Sequence, residues 1–213
     1  MEKRPDNLAS HPVRNLNGAL FPLNYPWHYG YDLFYRIDDY IDGWIVSNPF
    51  DAAALSQMVY NAGDGDHLEI GTGWGGSAIF AALVKRAFSL SGRVVTFDPI
   101  EGVDVILHRP RDLEIILANF RRFCVSDSIE LITKTFSAEW VEGRRFTSVL
   151  IDGSHLYDHV YHDWKDVKML ADRYVMFHDY DDAHQGILRT VRENMDGWRI
   201  VHLSGYSLIL ERL

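Results

Sequence analysis

The chain has 213 residues, of which 47% are hydrophobic and 24% charged, and its formal net charge at pH 7 is −9. This is the composition of an ordinary globular protein with one sizeable core. The acidic balance argues against nucleic acid as the main partner, because nucleic-acid binding depends on clustered Lys and Arg. No apolar run approaches membrane-spanning length, so no membrane partner is expected. A polar N-terminus and a single cysteine, Cys124, favour a cytoplasmic protein without a signal peptide or an internal disulfide.

The first 47 residues are interpreted as an aromatic- and proline-rich N-terminal arm that precedes a domain over residues 48–213. Four prolines predict that no long helix forms before Tyr29, namely Pro5, Pro12, Pro22 and Pro26. Residues 31–44 are a candidate helix. Such an arm usually covers a core or a dimer contact, and we expect a homo-oligomer. A lid over a substrate pocket is the alternative.

Helical and strand patterns then alternate along the chain. Asn48 and Pro49 predict a helix cap and first helical position, with the helix running to Asn61. The other predicted helices cover residues 77–88, 111–123, 157–170 and 185–195. The predicted strands cover residues 67–70, 93–97, 128–132, 147–151 and 173–177, and residues 198–203 and 206–210 predict a closing antiparallel hairpin. This order predicts an α/β protein with a mostly parallel sheet and helices on both faces.

A glycine turn follows the first predicted strand, in the segment EIGTGWGGS at residues 69–77. Glycines allow the backbone to approach a bulky ligand, and the free N–H groups of the helix that begins at Ser77 face that ligand. The turn also satisfies the dinucleotide pattern through Gly71, Gly73 and Gly76. Asp98 ends the next strand, where a carboxylate can accept hydrogen bonds from ribose hydroxyls. The segment therefore predicts a nucleotide-type cofactor site, and NAD is one candidate.

Glu69 distinguishes NAD from S-adenosylmethionine (SAM). A carboxylate just before the turn would repel a pyrophosphate by about 4 kcal/mol at 4 Å and an effective dielectric of 20. SAM carries a sulfonium and an ammonium and no phosphate, so a site built from Glu69, Gly71, Gly73, Gly75 and Ser77 favours SAM. The segment resembles motif I of the Rossmann-like SAM-dependent methyltransferases.

That resemblance implies a Rossmann-like seven-stranded sheet, in which the C-terminal hairpin supplies the antiparallel strand. It also places Ser137, after the third strand, where such enzymes contact the adenine of SAM.

Two further strands end in polar residues. Asp152 follows the strand at residues 147–151, and His178 and Asp179 follow the strand at residues 173–177. Neighbouring parallel strands would bring Asp152 and Asp179 together above the cofactor. Two carboxylates held close repel each other unless a cation or proton intervenes, and a divalent metal is the natural cation.

The motif Asp152-Gly-Ser-His155-x-Tyr, a helix containing Asp163, and a strand ending in His178-Asp179 are similar to the metal-dependent O-methyltransferases of natural-product biosynthesis. These include the macrocin and mycinamicin type and the cephalosporin-hydroxylase-like proteins, the methyltransferase family 24 type. The resemblance implies that Asp152, His178 and Asp179 hold the metal, usually Mg²⁺. It also implies that Asp152 borders the cofactor and that His155 is the general base on the acceptor hydroxyl.

His178 departs from this pattern, because relatives carry oxygen ligands there. Imidazole is a poor ligand for Mg²⁺ and suits Mn²⁺, Fe²⁺ or Zn²⁺. Two alternatives follow: the metal is not Mg²⁺, or His178 lies behind the residues that bind it.

The sequence therefore predicts a SAM-dependent O-methyltransferase that acts on a hydroxyl of a small molecule, assisted by Mg²⁺ or Mn²⁺. Two alternatives remain. One is an NAD-dependent oxidoreductase, and the other is a methyltransferase-fold protein that has lost catalysis and serves as a binding partner.

Overall fold

The computed structural model describes residues 25–45, 48–104 and 107–213. The helices are α1 (Tyr25–Asp38), α2 (Pro49–Ala62), α3 (Gly76–Ala87), α4 (Leu113–Arg122), α5 (Tyr157–Leu170) and α6 (Gln185–Glu193). The strands are β1 (Asp66–Ile70), β2 (Val94–Phe97), β3 (Val103–Asp104), β4 (Arg109–Pro110), β5 (Ile129–Ile132), β6 (Phe146–Ile151), β7 (Ala171–Phe177), β8 (Trp198–Ser204) and β9 (Ser207–Arg212). Short 3₁₀ turns lie at Ser126–Ser128 and Ala138–Val141.

Seven strands form the main sheet in the order β5-β2-β1-β6-β7-β9-β8. The five strands from β5 to β7 are parallel, and β9 is antiparallel to both β7 and β8. This confirms the predicted seven-stranded, mostly parallel sheet with a C-terminal antiparallel hairpin. Because the parallel strands run in one direction, their carboxyl ends lie at a single edge of the sheet.

Helices cover both faces of this sheet. Side chains alternate along each strand, so Leu150 and Met176 pack with helices α1–α4, whereas Val149 and Val175 pack with α5 and α6. The central strands are therefore buried on both faces, as expected for an α/β fold. In the part of the chain that the structure describes, no helix has the length and apolarity needed to cross a membrane.

Helix α1 begins earlier than the sequence predicts. It spans Tyr25–Asp38 instead of residues 31–44. Pro26 is its second residue, where a backbone N–H has no partner within the helix, so proline is tolerated there. The hydroxyl of Ser56 on α2 donates to the carbonyl of Pro26 at 2.7 Å, which ties the two helices together. Residues 1–24, 46 and 47 of the predicted arm lie outside the described residues, so its boundary at residue 47 stays a prediction.

A short hairpin, β3–β4, lies within residues 99–110, for which the sequence predicts neither a helix nor a strand. Its Asp104 Oδ2 accepts hydrogen bonds from the indole N–H groups of Trp44 at 2.9 Å and Trp74 at 2.7 Å. The guanidinium of Arg109 lies 4.1 Å from the centre of the Trp74 ring and pairs with Asp42 at 2.7 Å. The hairpin therefore joins the loop after α1 to the glycine turn.

Candidate active site

Four parallel strands end in one register row. Ile70 of β1 pairs with Phe97 of β2 and with Ile151 of β6, and Ile151 pairs with Phe177 of β7. The residues that follow these four are Gly71, Asp98, Asp152 and His178. The register therefore gathers the glycine turn and three polar side chains along one edge of the sheet, as the sequence predicts.

A cavity of about 1130 Å³ lies at this edge. Ligand sites usually measure roughly 300–1,000 Å³, so the cavity lies at the upper end of the usual size. Its wall includes residues 70–74, Ser77, Asp98, Arg111, residues 134–136, residues 152–155, His178, Asp179, and Trp44 from the loop after α1. Most of the predicted site residues thus border a single space.

The predicted glycines have different positions in the turn. Gly71 has a φ of +99°, and a Cβ there would lie 2.2 Å from the carbonyl oxygen of Asp152, so only glycine fits. Gly73 has a φ of +54°, and a Cβ there would meet open space. Gly75 does not border the cavity, because a Cβ there would lie 2.6 Å from the Phe120 ring of α4. Gly71 and Gly73 shape the wall, and Gly75 allows the helix packing behind it.

Glu69 lies behind the cavity wall. It points to the opposite face of β1 from Leu68 and Ile70, and its side chain is fully buried. The hydroxyls of Ser77 and Thr96 both donate to its carboxyl group. Burial raises the pKa of Glu69 to about 8, against the opposing effect of these hydrogen bonds. Ser77 borders the cavity and Glu69 does not. In this geometry Glu69 would therefore act on a cofactor through Ser77, and its predicted cofactor role stays a prediction.

Asp98 is held by several hydrogen bonds at the end of β2. Its carboxylate accepts from the N–H groups of Gly73 at 3.0 Å and Ile100 at 2.8 Å. One Arg111 nitrogen, Nη1, donates to both carboxylate oxygens at 2.7 and 3.0 Å. Arg111 borders the cavity, and nothing in the sequence singles it out, since only the turn around the β3–β4 hairpin brings it back to Asp98.

Ser137 does not border the cavity. Its hydroxyl accepts a hydrogen bond from the Glu139 N–H at 3.4 Å at the start of the 3₁₀ turn. The wall next to it is formed by residues 134–136, and Phe136 packs edge-on against Phe97 with ring centres 5.2 Å apart. The adenine contact predicted for Ser137 stays a prediction.

His178 lies between three carboxylates. Its Nδ1 is 3.0 Å from Asp152 Oδ1 and 3.4 Å from Asp179 Oδ2, and its Nε2 is 3.6 Å from Asp51 Oδ2. The side chain is only 2% exposed. Burial by itself would lower the pKa of His178, but the carboxylates, Asp152 above all, raise it far above its usual value. A protonated imidazole at this position would offset the repulsion between the Asp152 and Asp179 carboxylates.

Asp51 is a member of the site that the sequence does not single out. It is fully buried on α2 and accepts hydrogen bonds from the Ser207 hydroxyl at 2.7 Å and the Tyr206 N–H at 3.1 Å. The β8–β9 turn therefore helps to hold this carboxylate facing His178. In the sequence, Asp51 is an ordinary acidic residue in the first turn of a helix, which the helix dipole alone explains.

His155 is oriented by Asp179. Its Nε2 lies 3.1 Å from Asp179 Oδ2, and this hydrogen bond raises the pKa of His155 against the effect of burial. Burial would raise the pKa of Asp179, but hydrogen bonds from His155 and His178 lower it well below its usual range. Asp179 also has a left-handed φ of +53°, a conformation that is uncommon outside glycine and is concentrated at functional sites.

A family model described as a methyltransferase domain, methyltransferase family 24, matches residues 68–180. The match covers more than half of the chain and includes the strand ends described above. The chain belongs to this family. The predicted class, a SAM-dependent methyltransferase with a Rossmann-like fold, is confirmed, and the alternative of an NAD-dependent oxidoreductase is set aside. No curated protein matches the chain.

Solved structures share the fold at low sequence identity. Cofactor-bound Rv0187 from MTB is 20% identical, with a TM-score of 0.59 over 90% of this chain and 91% of its own. The O-methyltransferase TomG from Streptomyces achromogenes, solved in complex with SAM, is 18% identical, with a TM-score of 0.56 over 89% and 90%. A precorrin-6y C5,15-methyltransferase from Geobacter metallireducens GS-15 is 14% identical, with a TM-score of 0.59 over 83% and 96%.

Proposed function

We propose that the chain transfers a methyl group from SAM to a hydroxyl group of a small molecule. The observation that carries this proposal is the arrangement around one cavity. The glycine turn and Asp98 follow β1 and β2, Asp152 and His155 follow the neighbouring strand β6, Asp179 follows β7, and all of them border this cavity. The cavity volume of about 1130 Å³ leaves room for an acceptor beside the cofactor. TomG, which is named an O-methyltransferase and binds SAM, shares the fold.

The glycine turn and Asp98 suit the cofactor. Ribose hydroxyls are donors, and the Asp98 carboxylate is an acceptor at the end of β2. Arg111 already donates to both of its oxygens, so cofactor binding requires Arg111 to withdraw or to share the carboxylate. The N-terminus of α3 adds free N–H groups beside the turn, and the hydroxyl of Ser77 borders the same space.

His155 is the proposed general base. As the methyl carbon leaves the sulfonium sulfur and bonds to the acceptor oxygen, the hydroxyl proton passes to an imidazole nitrogen. Nε2 donates to Asp179, so Nδ1 is the nitrogen left to accept that proton. The Asp179 carboxylate then stabilises the imidazolium that forms. Holding both substrates in one cavity supplies much of the remaining rate enhancement.

The donor atoms of Asp152, His178 and Asp179 fit a divalent metal. They lie within 4.8 Å of one another, with separations of 3.0 and 3.4 Å from His178 Nδ1 to the two carboxylates. Adjacent ligands about 2.1 Å from a metal are themselves about 3 Å apart. The buried Nε2 of His178 has no hydrogen-bond partner and faces Asp51, as in metal-bound histidines whose other N–H points to a carboxylate.

These three residues would hold the ion, and the nitrogen ligand favours Mn²⁺ over Mg²⁺. A bound ion would lower the pKa of the acceptor hydroxyl.

Calorimetric titration with S-adenosylhomocysteine (SAH), with and without Mn²⁺ or Mg²⁺ and beside NAD⁺, is the first test. We expect micromolar SAH binding and no NAD⁺ binding. Turnover is then measured with radiolabelled SAM against a panel of hydroxylated aromatic and sugar acceptors. No SAH binding would contradict the cofactor assignment. SAH binding without transfer to any acceptor would favour the non-catalytic binding partner.

Two substitutions separate the proposed roles. We expect Asp152→Asn to lose metal-stimulated turnover while SAH affinity stays within a few-fold. His155→Ala should lose turnover and keep both SAH and metal affinity. His28→Ala is the control, because it removes an exposed histidine of α1 that does not border the cavity. A wild-type rate in either test variant would show that the site assignment is wrong.

A further inference from the structure

We propose that His155, Asp179 and His184 form a second metal site at the rim of the cavity, and that a Zn²⁺-class ion bound there blocks turnover. The binding part of this proposal stands on the geometry of the three side chains. The inhibitory part also rests on the proposed function, in which His155 is the base.

The three side chains converge. One ring nitrogen of each histidine and a carboxylate oxygen of Asp179 lie within 4.8 Å of one another. The two imidazole rings are 4.4 Å apart between centres and inclined by 70°, an edge-to-face contact and not a parallel stack. Two imidazole nitrogens and one carboxylate oxygen are a ligand set that proteins use for Zn²⁺, with the fourth position open to water.

His184 is held in place by its own carboxylate partner. Its Nδ1 lies 2.9 Å from Asp181 Oδ1, and the same oxygen accepts the N–H groups of Ala183 at 2.8 Å and His184 at 3.2 Å. Nδ1 is therefore committed to Asp181, which leaves Nε2 as the nitrogen available to a metal. Metal-bound histidines usually have this arrangement, in which a carboxylate holds the other ring nitrogen.

The rim site shares Asp179 with the inner donor set. Asp179 Oδ2 is 3.1 Å from His155 Nε2 and 3.4 Å from His178 Nδ1. The inner set has two carboxylates and one imidazole nitrogen, whereas the rim set has one carboxylate and two imidazole nitrogens. Nitrogen ligands favour Zn²⁺ over Mn²⁺ and Mg²⁺, so the rim set is the more selective of the two for Zn²⁺. The rim is also accessible, since the side chains of His155 and His184 are 40% and 28% exposed.

Zn²⁺ bound at the rim would prevent His155 from acting as the general base. A neutral imidazole that binds a metal through Nε2 carries its proton on Nδ1. Nδ1 of His155 is the atom proposed to accept the hydroxyl proton, so it could not do so in the zinc-bound form. The rim site is thus expected to act as an inhibitory site for Zn²⁺-class ions.

Zn²⁺ alone, titrated in competition with a chromophoric chelator, tests the binding. All proteins carry Asp152→Asn, which removes a ligand of the inner set only. We expect His184→Gln to lose the one Zn²⁺ ion that binds at the rim. Asp181→Asn should bind this ion about 10- to 100-fold more weakly. His162→Gln is the matched control, since that histidine lies on α5 outside both donor sets, and it should bind like the parent. Co²⁺ should give a visible ligand-field spectrum in the parent that is absent in His184→Gln.

Equal Zn²⁺ affinity in the parent and in His184→Gln would overturn the rim site, whatever the enzyme does. Inhibition of turnover is measured in wild type and in His184→Gln, both of which keep Asp152. The rate of each protein with Zn²⁺ is compared with its own rate without Zn²⁺. We expect His184→Gln to need at least about 10-fold more Zn²⁺ than wild type for half inhibition. Equal sensitivity would overturn the inhibitory role. If the wild-type protein neither bound SAH nor transferred a methyl group, this would count against the proposed function. The chelator titration would still show whether Zn²⁺ binds at the rim.

Discussion

Glu69→Gln tests the buried carboxyl group beneath the glycine turn. Glu69 is fully buried, and Ser77 and Thr96 donate hydrogen bonds to it. Glutamine has nearly the same shape and is neutral at every pH, and its carbonyl oxygen still accepts a hydrogen bond. The substitution therefore removes the ionisation of this group with little change in packing.

The expected magnitude follows from the pKa. Burial raises the pKa of Glu69 from 4.5 to about 8. Each pKa unit corresponds to about 1.4 kcal/mol, so ionising Glu69 costs about 5 kcal/mol more in the folded protein than in the unfolded chain. Because the folded pKa is raised, its contribution to stability is fully present below pH 4.5 and is lost as the pH rises through 8. Glutamine has no proton to lose, so the variant should not show this decline.

Thermal unfolding of both proteins between about pH 5 and pH 9 measures the difference. At this chain length 1 kcal/mol shifts Tm by about 2–4 °C, so Glu69→Gln should melt on the order of 10 °C above wild type at the alkaline end. Glu114→Gln is the control, because that carboxylate is 78% exposed. Parallel curves of Tm against pH for wild type and Glu69→Gln would refute the reasoning. A large loss of SAH affinity in the variant would instead show that Glu69 supports cofactor binding, which in this geometry acts through Ser77.

Three further substitutions follow from the site. Asp51→Asn should weaken Mn²⁺ binding about 10- to 100-fold and leave SAH affinity unchanged by calorimetry, because the buried imidazole loses the carboxylate behind it. Arg111→Ala should bind SAH more tightly, since the guanidinium and the ribose compete for one carboxylate; weaker binding would show that Arg111 holds the cofactor. Gly71→Ala should lower Tm and abolish SAH binding, because its Cβ would lie 2.2 Å from a backbone oxygen. Gly143→Ala is the control and should fold and bind SAH, because Gly143 also has a positive φ but faces open space.

The sheet and its polar edge could be predicted because their signals are local. Apolar runs that end in a glycine turn or an acidic residue place the end of each strand, and parallel packing then brings those ends together. Asp98 and Asp152 were found in this way, on the cavity wall where the sequence predicts them. Arg111 and Asp51 were not, because each reaches the site through contacts between distant parts of the chain.

Two local rules depend on where in an element the residue lies. Proline predicts an interruption of a helix, but Pro26 lies in the first turn of α1, where proline is tolerated. The position of Glu69 just before the glycine turn predicts a role at the cofactor, and the structure places its side chain behind Ser77. The alternation of side chains along β1 indicates this placement, since Leu68 and Ile70 share one face and Glu69 points to the other.

Carboxylate and imidazole groups alternate from the interior of the protein to the cavity rim. Asp51 and His178 are almost completely buried, Asp179 is 19% exposed and His155 is 40% exposed. Removing one partner from a buried ion pair leaves an uncompensated charge, which costs about 3–5 kcal/mol, and this cost falls as water reaches the group. Replacement of His178 therefore threatens the fold itself, whereas replacement of His155 removes a proton acceptor and little else. The proton transfer is therefore best tested by replacing His155, which is the most exposed of these groups. The electrostatics of the buried groups are best tested with the isosteric substitution Asp51→Asn.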